Sequence, residues 1–224
     1  MSARTVTILG ATGSVGRATL DLIERAPQGA FDVVALTANS QAADLAELAI
    51  RTKAQFCAVA DPEAGPALEA ALQGTSIRSA AGPDAVCEAA RMSADWVMAA
   101  IVGAAGLPPT LEAVRRGAAV AFANKEALVC AGDLFMTAAR EAGARLLPVD
   151  SEHNAIFQAF DEKQRAGIRQ IILTASGGPF RHWTLEQMGQ ASPAQAVAHP
   201  TWTMGAKISV DSATMMNKGL EIIE

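Results

Sequence analysis

The sequence predicts an α/β protein: a doubly wound parallel sheet over residues 1–149, followed by the first part of an α+β domain over residues 150–224. Three observations carry this. Short apolar runs alternate with longer alanine- and leucine-rich stretches from residue 5 onward, as strands alternate with crossover helices. The runs are apolar without interruption, as strands covered on both faces are. A glycine-rich turn, Gly10-Ala11-Thr12-Gly13-Ser14-Val15-Gly16, follows the first of them, where a strand hands over to a helix.

Thr5–Leu9 reads as the first strand and Val15–Arg25 as the helix after the turn. Val33–Thr37 reads as a second strand, with a helix over Ala42–Arg51. Phe56–Ala60, Trp96–Ala99 and Ala119–Ala123 read as further strands, with helices between them. Two later strands, near Arg145–Val149 and Arg169–Leu173, flank a helix over His153–Glu162. From Ser176 to Gly205 regularity weakens and glycine, proline and two tryptophans appear; a loop that long is functional or disordered. A further helix is expected to begin near Asp211-Ser212. The chain reaches Glu224 inside a periodic segment with no cap signal, which reads as a truncated chain. There are no internal repeats and no low-complexity linker.

Half of the 224 residues are hydrophobic, enough to bury a substantial core. The net charge of -5, with no basic stripe, argues against a nucleic-acid backbone as partner. A small anion needs only two or three local donors and is still allowed. Cys57, Cys87 and Cys130 are far apart and odd in number, so neither a zinc site nor a disulfide framework is expected; a reduced cytoplasm fits. Met1–Arg4 leads directly into a strand, unlike a signal peptide. The longest apolar stretch, Trp96 to Pro109, is glycine-interrupted and too short for a bilayer. A soluble cytoplasmic protein with no membrane partner is expected.

Four motifs carry candidate chemistry. Glycines in the 10–16 turn permit close approach of backbone to a pyrophosphate, and the following helix presents N–H groups and a positive dipole end. Its strand-turn-helix context favours a dinucleotide over an ordinary turn, so the domain is read as Rossmann-like. After the second strand stand Ala38-Asn39-Ser40-Gln41, with no acid to hold an unphosphorylated ribose; this leans toward NADPH, although a basic residue is missing too. Asn124-Lys125-Glu126 follows a strand end. It reads either as a helix cap with an acid in the first turn or as a cation placed for a substrate. Asp150-Ser151-Glu152 follows another strand; if the strand persists, both carboxylates share one face, and carboxylates without cysteine suit magnesium or manganese. A helix cap is the alternative. Asn217, Lys218 and Glu221 share one helix face, as a solvated pair or as a site, and spacing alone does not bring Glu221 to Asp150.

Six motifs occur in order: Gly10–Gly16, Ala123–Glu126, Pro148–Asn154, Thr174–Phe180, His199–Gly205 and Lys207–Glu221. Together they resemble the 1-deoxy-D-xylulose 5-phosphate reductoisomerase family along the whole chain. The resemblance implies an NADPH domain, a central catalytic domain and a C-terminal helical domain, the last absent from this chain. It implies a homodimer that rearranges and reduces 1-deoxy-D-xylulose 5-phosphate to 2-C-methyl-D-erythritol 4-phosphate in isoprenoid precursor synthesis. It also implies roles. Asp150, Glu152 and Glu221 would hold a divalent cation; Lys125 and Ser151 would contact the substrate's oxygenated carbons. Ser176, Ser212, Asn217 and Lys218 would bind its phosphate, with His199 close by and Ser212 near a helix start. Thr12, Gly13, Ser14 and Val15 would receive the pyrophosphate, the loop Asn39, Ser40, Gln41 would border the adenosine ribose, and Asn124, Glu126 and Gly205 would complete the cofactor contacts. Ser176 to Gly205 would be a mobile lid carrying Trp202 and Met204. The family pattern carries glycine and a basic residue where this chain has Asn39-Ser40-Gln41. Two other readings remain: a cofactor-binding fragment without catalysis, and an NADP-linked dehydrogenase of the semialdehyde or homoserine type.

Overall fold

The computed structural model describes residues 2–223, which divide into two compact units, one ending at Asp150 and the other beginning at Ser151. The first is a seven-stranded sheet: β1 (Arg4–Leu9), β2 (Phe31–Ala38), β3 (Phe56–Val59), β4 (Arg78–Ala81), β5 (Trp96–Ala99), β6 (Ala119–Phe122) and β7 (Arg145–Pro148), in the order β4-β3-β2-β1-β5-β6-β7. Every pair is parallel. The chain builds outward from β1 to β4, then crosses back to β5 on the other side of β1. Such a reversal opens a crevice beyond the carboxyl ends of β1 and β5.

The apolar runs are explained by burial on both faces. Val97 and Ala99 pack with the helices α4 (Pro83–Arg91), α5 (Leu107–Arg115) and α6 (Lys125–Ala142). Met98, between them, packs on the other face with α1 (Ser14–Arg25), α2 (Ala42–Thr52) and α3 (Gly65–Ala71). Cys57, Ala58 and Val59 alternate in the same way, as the two-residue period of a strand requires. β4 has no counterpart in the sequence reading. Its four residues, Arg-Ser-Ala-Ala, form a sheet edge and are only partly buried, so no apolar run marks it.

The second unit contains α7 (Ser151–Ala159), α8 (Leu185–Gly189), α9 (Pro193–Val197), α10 (Ala206–Ala213) and α11 (Met216–Ile223), with a 3-10 turn at Glu162–Gly167. Three expectations are corrected. The strand at Arg169–Leu173 does not form: no strand occurs among this unit's described residues, and Ile171 and Ile172 are exposed. A strand needs a partner for its backbone groups, and this unit offers none. The stretch from Ser176 to Gly205 is not structureless, because α8 and α9 each start with a capping box, Thr184 with Gln187 and Ser192 with Gln195. The helix expected to begin near Asp211 is two helices, separated where Met215 takes a left-handed φ of 61°. No helix among the described residues is long and apolar enough to cross a membrane.

Two predictions follow from these placements. Asp95 ties the segment before β5 to the start of β1: its carboxylate accepts from Thr5 N at 2.7 Å and Thr5 Oγ1 at 3.0 Å. The backbone bond, then the hydroxyl, hold its carboxyl below the ordinary range. A lowered pKa stabilises above the unfolded value and is lost below it. Asp95→Asn is therefore expected to lower the Tm near neutral pH, with the gap to the parent chain closing as pH falls below about 4. Burial pushes the Cys57 thiol up to about 12, whereas Cys130 is exposed. Thiol labelling of the native chain, followed by peptide mapping, should modify Cys130 and spare Cys57 until the chain is unfolded.

Candidate functional site

In the first unit the candidate residues gather at the carboxyl ends of the strands. The turn after β1 is held from within. Gly10 N donates to Thr37 Oγ1 at 3.0 Å, Ala11 N to Thr37 O at 2.7 Å, and Gly13 N to Gly10 O at 3.2 Å. Gly10 has φ +87°, and a Cβ there would sit 2.7 Å from Ala100 O in the loop after β5. A Cβ on Gly16 would meet Gly10 O at 2.3 Å, while one on Gly13 would meet nothing nearer than 3.4 Å. The turn is thus tight on its inner side and open on its outer side. Gly13 is the N-cap of α1 and no side chain caps that helix, so its first-turn N–H groups at Ser14 and Val15 point outward without intrahelical acceptors. These donors and the cleared backbone fit a pyrophosphate.

The neighbouring loops border the same crevice. Asn39, Ser40 and Gln41 are exposed after β2, and Thr12 Oγ1 donates to Gln41 Oε1 at 2.8 Å. After β6, Asn124 does what its helix-cap reading expects, accepting from Ala127 N at 3.2 Å. It also donates through Nδ2 to Gly103 O at 3.0 Å, and a Cβ on Gly106 would collide with that amide nitrogen at 2.3 Å. Gly106 is marked in the sequence only by the pattern Gly103-Ala-Ala-Gly106. Lys125 opens α6 with its side chain only 7% exposed, and its Nζ lies 2.8 Å from Asp150 Oδ1. Glu126 follows in the first turn. The shared strand face expected for Asp150 and Glu152 does not occur: β7 stops at Pro148, and Glu152 belongs to α7.

Two clusters form in the second unit. In the first, Glu152 and Glu221 offer carboxylate oxygens within 4.8 Å of each other. Lys218 Nζ donates to Glu152 Oε1 at 3.0 Å and also to Glu221. Asn217 Nδ2 holds the other Glu221 oxygen at 2.6 Å. His153 Nε2 lies 3.1 Å from the Glu221 carbonyl, joining α7 to α11, a role that nothing in its sequence position marks. Burial raises the Glu152 carboxyl's pKa, but hydrogen bonds from Ser151 and Lys218, with the Lys218 charge, outweigh it, and the net shift is downward. Two carboxylates sharing one ammonium form a site whose charge already requires a cation. An all-oxygen donor set suits a hard divalent ion.

In the second cluster Ser176 Oγ lies 3.1 Å from His199 Nε2 and 3.3 Å from Ser212 Oγ. His199 Nδ1 accepts from Thr201 N at 3.2 Å and Trp202 N at 3.0 Å. With Nδ1 fixed as acceptor, a neutral ring carries its proton on Nε2, directed at Ser176. Gly178, at φ +61°, admits the loop to α10: a Cβ there would sit 2.6 Å from Ser212 O. Ser212 lies in the last turn of α10, not at a helix start, because the left-handed Met215 separates it from α11. Asn217 and Lys218, at the start of α11, bond to the carboxylates of the first cluster. Gly205 is the N-cap of α10, Trp202 is 62% exposed, and Met204 is half-buried.

Known proteins resemble this chain in sequence and fold. The family profile described as 1-deoxy-D-xylulose 5-phosphate reductoisomerase matches residues 6–132, and that of its C-terminal domain matches residues 146–224. The reductoisomerase of Rhodospirillum centenum is 62% identical over 221 residues, covering 99% of this chain and 55% of its own. That of Zymomonas mobilis is 60% identical and covered over 57% of its length. The solved Zymomonas mobilis enzyme in complex with NADPH superposes with a TM-score of 0.91, over 99% of this chain and 57% of that one. A reductoisomerase in complex with NADPH, fosmidomycin and magnesium superposes at 0.92 with 42% identity, over 98% and 57%. The chain thus spans a little over half the length of the relatives it matches.

The glycine geometry is directly testable. Gly16→Ala forces backbone to move and should cost about 1–3 kcal/mol, read as a lower Tm with loss of nucleotide binding in the same sample. Gly13→Ala, with room for its methyl, should lose only the N-cap preference for glycine over alanine and lower the Tm by no more than a few degrees.

Proposed function

From a chain that belongs to the 1-deoxy-D-xylulose 5-phosphate reductoisomerase family, we propose that the parent protein converts 1-deoxy-D-xylulose 5-phosphate to 2-C-methyl-D-erythritol 4-phosphate with NADPH and a divalent cation. The observation that carries this is the pairing of Glu152 and Glu221 on one ammonium, with Asp150 two residues before Glu152 in sequence. On this reading residues 1–149 form the NADPH domain and residues 150–224 the catalytic part. Asp150, Glu152 and Glu221 hold the cation, magnesium or manganese. When bound, it supplies Lewis acidity to the carbonyl and hydroxyl oxygens of the substrate. NADPH supplies the hydride.

The chain's own groups bind and orient. Thr12, Gly13, Ser14 and Val15 receive the pyrophosphate, supported by the uncapped start of α1. Asn39, Ser40 and Gln41 border the adenosine ribose, and Asn124, Glu126 and Gly205 complete the cofactor contacts. Lys125, an ammonium on a shielded stem, offers charge to substrate oxygen. Ser151 contacts the oxygenated carbons. Ser176, Ser212 and His199 present two hydroxyls and an imidazole N–H to the phosphate, and Asn217 and Lys218 join them if substrate draws them from Glu221. The segment Ser176–Gly205, with Trp202 and Met204, closes over the ligand and excludes water. The parent protein works as a cytoplasmic homodimer.

A second reading applies to the 224 residues themselves: cofactor binding without turnover. The chain's share of its relatives' length and the exposed Ile171 and Ile172 favour it. The experiment separates the two. NADPH consumption by the parent-length protein should require both 1-deoxy-D-xylulose 5-phosphate and magnesium or manganese. Asp150→Asn or Glu221→Gln should reduce turnover roughly 100-fold or more while NADPH affinity stays within about threefold. Full activity in both variants would restore the simple NADP-linked dehydrogenase, which needs no metal. Turnover by the 224-residue chain would overturn the second reading, and NADPH binding without turnover would support it.

A further inference from the structure

On the cofactor reading above, Asn39, Ser40 and Gln41 in the loop after β2 border the adenosine ribose, and none of them is charged. An adenosine 2′-phosphate carries more than one negative charge, and such sites are met by an arginine nearby. Between Thr5 and Ile50 the chain has two basic residues, Arg17 and Arg25. Arg25 is at the far end of α1, paired with Asp21 at 2.9 Å. The next, Arg51, closes α2 and is held by Glu24 at 2.6 Å and Glu47 at 3.6 Å. Arg17 stands apart from both.

Arg17 lies one residue after Gly16, in the opening turns of α1. Its Nε donates to Thr12 O at 3.0 Å, inside the glycine-rich turn, and its Nη2 donates to Asp44 Oδ2 at 2.6 Å, in the first turn of α2. Thr12 in turn donates through Oγ1 to Gln41 Oε1 at 2.8 Å. The guanidinium is therefore anchored between the pyrophosphate turn and the ribose loop. Both partners of the ion pair are about half exposed, at 50% and 51%. A pair so exposed contributes little to stability, and these contacts use only two of the five N–H donors of the guanidinium.

We propose that Arg17, and not the loop after β2, supplies the charge that recognises the 2′-phosphate of NADPH, the phosphate displacing the exposed Asp44 from the guanidinium while Thr12 O still holds its Nε. The planar fork suits two phosphate oxygens at once. The inference rests on the cofactor reading above and adds the residue that separates NADPH from NADH.

Calorimetric titration of the chain with 2′,5′-ADP, ADP, NADPH and NADH tests it without any turnover. The parent chain should prefer 2′,5′-ADP to ADP and NADPH to NADH. Arg17→Leu should weaken 2′,5′-ADP and NADPH by about 10- to 100-fold, as loss of charge-assisted hydrogen bonds does, and leave ADP and NADH within about twofold. Arg17→Lys should keep part of the preference. Asp44→Asn cuts the same bridge from its other end and should retain the preference in full. An equal loss for both nucleotide pairs in Arg17→Leu, or a lost preference in Asp44→Asn, would reduce Arg17 to a brace between helices and overturn the proposal. Unchanged NADPH affinity in Arg17→Leu would overturn it as well. A parent chain that binds none of the four nucleotides would overturn the cofactor reading itself, and this inference with it.

Discussion

The first unit depends on one close approach of backbone to backbone. Gly10 lies against the carbonyl of Ala100, and Gly16 against the carbonyl of Gly10, at distances that any side chain would close. This contact joins the turn after β1 to the loop after β5, the two strands between which the sheet reverses direction. It lets α1 start with its N–H groups outward while its body packs on the sheet through Thr19 and Leu20. Because all seven strands are parallel, their remaining loops collect on the same edge. Asn39, Asn124, Lys125 and Asp150 lie there for that topological reason.

Charge organises the second unit as packing organises the first. Glu152 and Glu221 lie at close range, and the Lys218 ammonium bridges the two carboxylates. An ammonium and a divalent metal ion meet the same electrostatic demand, but the ammonium is tethered and carries one charge where the ion carries two. Asn217 and His153 fix Glu221 through its side chain and its carbonyl respectively. The Ser176, His199 and Ser212 group works differently. It carries no formal charge with a neutral ring, and its direction comes from two backbone N–H groups that assign the imidazole proton to Nε2.

The sheet was legible in the sequence because burial on both faces writes strands as apolar runs. It was illegible where that condition fails. β4 is an edge strand of small and polar residues, and Arg169–Leu173 has the composition of a strand without a neighbour to make it one. The helices α8 and α9 were available as Thr184-x-x-Gln187 and Ser192-x-x-Gln195, local patterns hidden within a glycine- and proline-containing stretch. The break at Met215 was not, since a left-handed methionine carries no sequence mark. Among the candidate groups, Asn124 could be read as a cap from its position. The approach of Glu152 to Glu221 could not, because it is made by bonds between α7 and α11, through Lys218 and His153, and not by any spacing along the chain. Arg17 was equally silent: its meaning lies in Thr12 and Asp44, contributed by the glycine-rich turn and by α2.

The separation of Glu152 from Lys218 by 66 residues also has a meaning in time. A ribosome adds about 5–20 residues per second, so Lys218 is made roughly 3–13 s after Glu152. The contacts of the glycine-rich turn are far more local, and every residue they need has been made before β7 is complete. The crevice beyond β1 and β5 can therefore form on a nascent chain before Lys218 has been made. Synthesis order alone gives the protein its parallel sheet first and its acidic cluster afterwards.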